Sequence, residues 1–479
     1  MKNLLIPSLL PAIIAGAFAP GIAAASSIDK IQNIVVIYGE NRSFDNLYGI
    51  FPGANGIGRA FAEQRYTQVD MQGKPLTQLP PTWDKPGVAN KDFPQGMPNM
   101  PFSIDAAPVN QGLDKKTVDL VHRFYQNQMQ INGGKNDRFA AISDAGGLSM
   151  GHYNGASLPM WKIAQEYTLA DNFFMGAFGG SFLNHMWLAC ACTPVFKDAP
   201  DSMRAKIDAQ GNLLLKAGSP TDPLAGAPQF QDGSVTPDGF GVNTLQSSYQ
   251  PSGIPSANDS ALADSSKHPL PPQTQTTIGD TLSQKNISWK WYAGGWNQAL
   301  ADRSQIYGGK INFQPHHQPF NYFSRFAPGT KDRAEHLKDG AELFDDIEHG
   351  RLPQVTFYKP QGELNEHPGY TDVMSGDEHI ANLVKKLQAS PQWKNMLIIV
   401  TYDENGGFWD HVAPPKADRW GPGNRIPAII ISPYAKRGYI DSTPYDTTSI
   451  LKLLTKRFKL APLPGVRETA GDLTGALQN

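Results

Sequence analysis

The 479-residue chain is poor in cysteine, in charge of one sign and in long apolar runs. Its 42 basic residues face 44 acidic ones, for a formal net charge of −2. No basic excess or stripe is available to neutralise a phosphate backbone, which argues against a nucleic-acid partner. Beyond the first residues no apolar run is long enough to span a bilayer. No internal repeat or heptad pattern is present, so solenoids and coiled coils are excluded. The two cysteines, Cys190 and Cys192, stand in "LACACTP". A bridge two residues apart would close almost no loop, so the preferred reading is a pair of small buried apolar residues. A strained C-x-C disulfide is the second choice, and a metal site built on the pair is disfavoured.

The amino terminus has an export pattern: Lys2, a mostly apolar stretch from Leu4 to Ala19, then Ala23-Ala24-Ala25 as a cleavage signal. Pro7, Pro11, Gly16 and Pro20 interrupt that stretch, which reads as a Sec-type signal peptide (residues 1–25) rather than an anchor. There is no twin-arginine pair. The mature chain is expected in the periplasm or outside the cell.

Apolar runs then alternate with amphipathic patterns, the signature of an α/β fold with a mostly parallel sheet. Strands are predicted over Ile34–Ile37, Ser288–Tyr292, Gln354–Tyr358, Met396–Thr401 and Ala428–Ser432. In "GDEHIANLVKKLQAS" the residues Ile380, Leu383, Val384 and Leu387 fall on one helical face, with Asp377 as the expected N-cap. A second helix carries Ile450, Leu451, Leu454 and Phe458. The Pro/Gly-rich stretches 53–114 and 194–276 have no period and are expected as insertions in one domain covering 26–479.

Two strands end alike. In "NIVVIYGENRSFDNLYG" an apolar run leads to Glu40, Asn41, Arg42 and Asp45; in "NMLIIVTYDENGGFWDHVAPP" another leads to Asp403 and Glu404. The carboxyl ends of parallel strands share one sheet edge, where ligand sites form. Carboxylates gathered there repel unless a cation joins them, and carboxylate plus amide oxygens suit a hard divalent ion. Two independent, solvated strand ends are the alternative. Arg42 and Asp45 are expected to pair or cap locally. In "MGAFGGSFLNHMWL" Ser181 follows Gly179-Gly180 and opens an apolar stretch; it is a potential nucleophile at a helix N-terminus, or a capping serine. It is not a G-x-S-x-G elbow, since Leu183 occupies the glycine position. Of eleven histidines, His122, His316, His317 and His367 lie in polar or aromatic loops; His336 and His349 are expected on solvated helices, and His379 in a helix's first turn.

The motifs "ENRSFDNLYG", "INGGKNDRF", "GGSFLNH", "HHQPFNYF", "HPGYTDVMSGDEHI" and "TYDENGGFWDHVAPP" together resemble the bacterial phosphoesterase family. That family holds acid phosphatases of the respiratory-burst-inhibiting type and phospholipases C, and is related to the alkaline phosphatase superfamily. The resemblance implies an alkaline-phosphatase-like α/β fold and one divalent metal ion (Ca, Mg, Mn or Zn) held by Glu40, Asn41, Ser181, Asp403 and Glu404. Ser181 would be ligand and nucleophile, forming a phosphoserine. His122, His317 and His367 would contact phosphate oxygens or assist the leaving group, protonated at mildly acid pH and needing no lysine or arginine clamp. Asp137, Asp410, His411 and His185 would play supporting parts. The chain stops at Asn479 without the added C-terminal modules typical of the phospholipases, and has Asp446-Thr447-Thr448-Ser449 where they often have D-H-T-S. Both points, with the missing twin-arginine signal, favour a phosphatase acting on small phosphomonoesters over a phospholipase C. A C/S-x-P-x-R sulfatase motif is lacking after Ser181. A secreted binding protein with weak residual activity is the reading from another class; the intact set of carboxylates, serine and histidines speaks against it.

Overall fold

The computed structural model describes residues 26–478; the signal peptide read from residues 1–25 lies outside them. Eight strands form the central sheet: β1 (Asn33–Gly39), β2 (Thr168–Ala170), β3 (Trp289–Ala293), β4 (Leu337–Asp339), β5 (Val355–Lys359), β6 (Met396–Tyr402), β7 (Ala428–Ile431) and β8 (Tyr439–Asp441). Their order is β8-β2-β7-β6-β1-β5-β3-β4, and only β7 runs antiparallel to its neighbours. β1 lies in the middle, paired in parallel with β5 on one side and β6 on the other. That position explains its unbroken apolar run: both faces are covered, so there is no polar alternation. Ile34, Val35, Val36 and Ile37 are fully buried, each contributing about 1.5–3 kcal/mol on leaving water. The α/β fold with a mostly parallel sheet is therefore as the sequence predicts. The strands it does not reveal (β2, β4 and β8) are three residues long, too short to show a period.

The helices used below are α1 (Phe44–Tyr48), α2 (Phe124–Ile131), α3 (Pro159–Glu166), α4 (Ser181–Cys190), α5 (Gly340–Glu348), α6 (Val373–Ala389) and α7 (Thr447–Phe458). On α6 the apolar face Ile380, Leu383, Val384 and Leu387 is buried as expected. Its start lies five residues earlier than the pattern suggests. Asp372 is the N-cap, accepting from Ser375 N at 2.7 Å, while Asp377 sits inside the helix and ties it to α3 by accepting from Met160 N at 2.9 Å. The capping assignment to Asp377 is thus corrected. Asp446 caps α7 and pairs with Arg467 at 3.0 Å, so this acid is fully used in structure.

Three further expectations change. Cys190 and Cys192 form a disulfide at the end of α4 instead of two free apolar side chains. His336 is buried, stacked on Trp289 at 4.1 Å and bonded to the Trp289 carbonyl at 2.8 Å, rather than solvated. His349 does pair at the surface with Asp345, on the helix α5. The third change is His379, which lies in the second turn of α6 rather than the first and packs onto the sheet, its Nε2 2.8 Å from the Tyr358 hydroxyl. The stretch 194–276 carries no element longer than a single turn; it runs over the molecule through isolated bridges. Among the described residues no helix is long and apolar enough to cross a membrane.

Candidate active site

The carboxyl ends of β1, β5 and β6 deliver Glu40-Asn41, Lys359 and Asp403-Glu404 to one sheet edge. Parallel pairing fixes this: β1 and β6 are in register through Gly39 and Tyr402, so the residues just beyond them are neighbours. The turns lock them further. Asp403 Oδ1 accepts from Asn41 N at 3.1 Å and from Glu404 N at 2.8 Å. Asn41 itself is left-handed (φ 62°), a conformation asparagine tolerates better than most residues. Gly406 (φ 63°) packs so closely that a Cβ would stand 2.2 Å from the Asn41 carbonyl oxygen. The glycine in "DENGG" is what lets the two motifs touch.

Ser181 comes from a third direction. Gly179 (φ 89°) turns the chain against the start of α2, and Gly180 leads into α4, whose first residue is Ser181. The hydroxyl donates to Asn41 Oδ1 at 3.2 Å and lies 3.4 Å from Glu404 Oε1. His122 closes the fourth side: Nε2 is 3.4 Å from Asn41 Nδ2 and 3.8 Å from Glu404 Oε1, while Nδ1 is committed to the Leu120 carbonyl at 2.5 Å. Ser181, His122, His316, His367, Glu40, Phe182 and Tyr370 are among the residues lining a cleft of about 290 Å³. His367 stacks on Tyr370 at 4.2 Å and stands 5.5 Å from the His122 ring.

The remaining predicted residues are placed differently. His317 does not line the cleft; it is buried, its Nε2 against Glu40 Oε1, and its neighbour His316 takes the cleft wall. Glu40 is turned toward His317 and Lys359 and is held by Asn365 at 2.9 Å and Tyr370 at 2.8 Å. Among the described residues, acidic and histidine groups with ligand atoms within 4.8 Å of one another comprise Glu40–His316–His317, Asp119–His122–His367 and Asp45–Asp410–His411. None of these joins Glu40 to Asp403 and Glu404. His185 stacks on His317 and bonds the Ser181 carbonyl at 2.7 Å, supporting the helix start. Asp137 bonds Asn132 at 2.8 Å, away from the cleft. Asp45 does not pair locally: it meets His411 at 2.6 Å and Arg425 at 3.1 Å, and Arg425 also meets Asp410 at 2.9 Å. Arg42 bonds the Glu366 carbonyl at 2.6 Å.

Sequence reasoning missed Lys359, which is fully buried. Its Nζ lies 3.0 Å from Glu40 Oε1 and 3.5 Å from Asp403 Oδ2. The signal was present in "VTFYKP": a polar residue directly after an apolar strand, as in the other two motifs.

The electrostatics separate these groups. Burial raises the Glu404 carboxyl well above the ordinary range; His122 opposes this and Asp403 adds to it. Asp403 is raised by burial and by Glu40, with Lys359 opposing. Burial would raise Glu40 too, but His317 and Lys359 hold it well below the usual range. Burial works against a charged His122, yet Glu404 and Asp119 outweigh it and lift the imidazole to about 9. His316 and His317 are pushed down by burial. Burial and nearby acids thus push these imidazoles in opposite directions, His122 up and His316 and His317 down.

Asn41 Oδ1, Ser181 Oγ and Glu404 Oε1 face one another, and Asp403 Oδ2 is buried with no hydrogen bond. Hard oxygens with two carboxyls held up by burial are a donor set that a divalent cation would satisfy.

A family model described as the Phosphoesterase family matches residues 31–461. Among curated proteins the chain is similar to the non-hemolytic phospholipase C of Burkholderia pseudomallei (strain K96243), 26% identical over 517 residues, covering 98% of this chain and 62% of that protein. It is also similar to phospholipase C B of Mycobacterium tuberculosis (strain ATCC 25618 / H37Rv), 25% identical over 505 residues, covering 98% and 81%. The chain thus spans under two thirds of the length of the Burkholderia relative. Among solved structures, a protein in the alkaline phosphatase superfamily from Vibrio parahaemolyticus is 11% identical, covers 78% of this chain and 76% of its own, and has a TM-score of 0.34.

Proposed function

The chain belongs to the Phosphoesterase family, and on that premise we propose that it is an exported, metal-dependent phosphoester hydrolase working through Ser181. The observation that carries this is the Ser181 hydroxyl at a helix N-terminus, 3.2 Å from Asn41 Oδ1 and 3.4 Å from Glu404 Oε1, in a cleft shared with His122, His316 and His367. Asn41, Ser181, Asp403 and Glu404 would hold one divalent ion, with Glu40 completing the set from the Lys359 side. That ion would lower the pKa of the hydroxyl and offset charge on the phosphoryl group.

The residues divide the work. Ser181 Oγ gives up its proton to solvent and bonds to phosphorus as the ester P–O bond breaks, and the departing oxygen takes a proton from the ring of His367 on the cleft wall. Water then cleaves the phosphoserine, releasing phosphate and the free hydroxyl. His122 on the cleft wall, its imidazole lifted by Glu404 and Asp119, binds the phosphoryl oxygens. His316 takes over the contact first assigned to His317, which instead orients Glu40. The disulfide at the end of α4 fits an oxidising compartment and supports the reading of residues 1–25 as an export signal.

The preferred substrates are phosphomonoesters, making the protein an acid phosphatase. The second reading, phospholipase C, is favoured by the relatives that bear that name. Turnover of an aryl phosphate, a nucleotide and phosphatidylcholine vesicles, compared from pH 5 to 8 with added divalent metal, separates them. Higher kcat/KM on the small monoesters supports the phosphatase. Preference for the lipid assigns the phospholipase, and turnover of none refutes both.

A further inference from the structure

Lys359 has no place in the chemistry just described. Its ammonium is buried behind the cleft, not on its wall, so it meets neither substrate nor Ser181. It sits between Glu40 Oε1 (3.0 Å) and Asp403 Oδ2 (3.5 Å), donates to the Gly39 carbonyl at 3.3 Å and lies over the Tyr38 ring at 5.3 Å. A flexible, strongly hydrated side chain is held by two strand ends with no exposure. Buried charge of that kind is retained only where it is paired.

The charge count shows what it is paired for. Glu40, Asp403 and Glu404 carry three negative charges when ionised; Lys359 answers one of them from behind the cleft, and the rest face a divalent ion and, 3.8 Å from Glu404, the His122 imidazole on the cleft side. In two-metal phosphoryl-transfer sites a second cation about 3.5–4 Å from the first performs that task. Here the position between Glu40 and Asp403 is already filled by an ammonium group.

We propose that Lys359 is the site's built-in second cation: a positioning residue that holds Glu40 and Asp403 in place and limits the cleft to a single divalent ion. This rests on the metal reading above, though not on Ser181 being the nucleophile. Lys359 and the ion share the same carboxylates, so they are coupled. Removing the lysine charge leaves the metal-free site with surplus negative charge and makes an added ion more welcome.

The test uses the whole protein stripped with chelator and titrated with Mn²⁺ alone. Wild type should bind one ion per chain, by calorimetry and by elemental analysis. Lys359→Met should melt lower than wild type without metal, bind Mn²⁺ at least tenfold more tightly or take up a second ion, and show a larger rise in Tm on loading. Lys359→Arg should keep the wild-type stoichiometry. Should Lys359→Met fail to fold without metal, recovery of folded protein on adding Mn²⁺ supports the coupling, and no recovery counts against it. One ion in wild type with unchanged affinity and metal-free Tm in Lys359→Met overturns this proposal and leaves the metal reading intact. Two ions in wild type overturns it as well. No ion in wild type removes the metal reading and this proposal together.

Discussion

Glu40 and Asp45 lie on one turn, Glu404 and Asp410 on one loop, yet the two pairs end in opposite environments. Asp45 and Asp410 are clasped by Arg425, whose Nη1 also donates to the Asn55 and Asp171 carbonyls, and His411 completes the set with Asn55 at 3.1 Å. It is a closed clamp that joins the start of α1 to the "DHV" segment. Asp403 and Glu404 are answered only at longer range, by Lys359 at 3.5 Å and His122 at 3.8 Å. Burial raises both carboxyls, and one Asp403 oxygen goes without a hydrogen bond. A buried polar group left unpaired costs stability, and at this sheet edge a cation would offset that cost. The same motif therefore supplies a structural half and a chemical half, told apart by how closely the charges are answered from within the protein.

This contrast can be broken at either end. The largest effect is expected at the chemistry: Ser181→Ala should lower kcat on an aryl phosphate by about 10³-fold or more, with little change in Tm. Next comes the clamp. Arg425→Met leaves Asp410 buried without a cation and Asp45 with His411 alone, and should cost about 3–5 kcal/mol, read in urea unfolding, while metal affinity per folded molecule stays unchanged. At the open cluster the signs reverse. Glu404→Gln should weaken Mn²⁺ binding by about 100-fold yet leave the metal-free protein as stable as wild type or more so. Equal stability losses at Arg425 and Glu404 would erase the distinction.

The smallest expected effect lies at Asp377, buried beside Met160, where burial pushes the carboxyl up to about 7. Its folded-state value lies above the unfolded one near 3.9, so the native state holds the extra proton between them. Its contribution is complete below about pH 4 and is lost as pH rises through 7. Asp377→Asn should accordingly melt about 2 °C or more above wild type at pH 8, with the gap shrinking as the pH falls to 5.

Much of this was legible in the sequence because strong local signals carried it. The apolar runs of β1, β5 and β6 located the sheet's centre, and the polar residues after them located the site. Ser181 announced itself through the glycines before it. What stayed hidden depended on three-dimensional partners. His316 and His317 are adjacent, and only the turn they occupy decides which faces the cleft. Lys359 followed the same strand-end grammar, but a lysine there reads equally as a surface residue until its burial is seen. The Cys190–Cys192 bridge closes too small a loop for an entropy argument to favour it, yet the left-handed residue between them, Ala191 (φ 47°), brings the sulfurs together. Asp45 could not be matched to Arg425 from 380 positions away.

The central claim is that Ser181 is the nucleophile, and the most direct measurement is covalent trapping. The metal-loaded protein is mixed with an aryl phosphate labelled on phosphorus, quenched in acid within a turnover, digested and mapped by mass spectrometry. One phosphoryl group on Ser181, absent from Ser181→Ala, is the predicted result. An active protein whose label is found on another residue, or on none at any quench time, would contradict it.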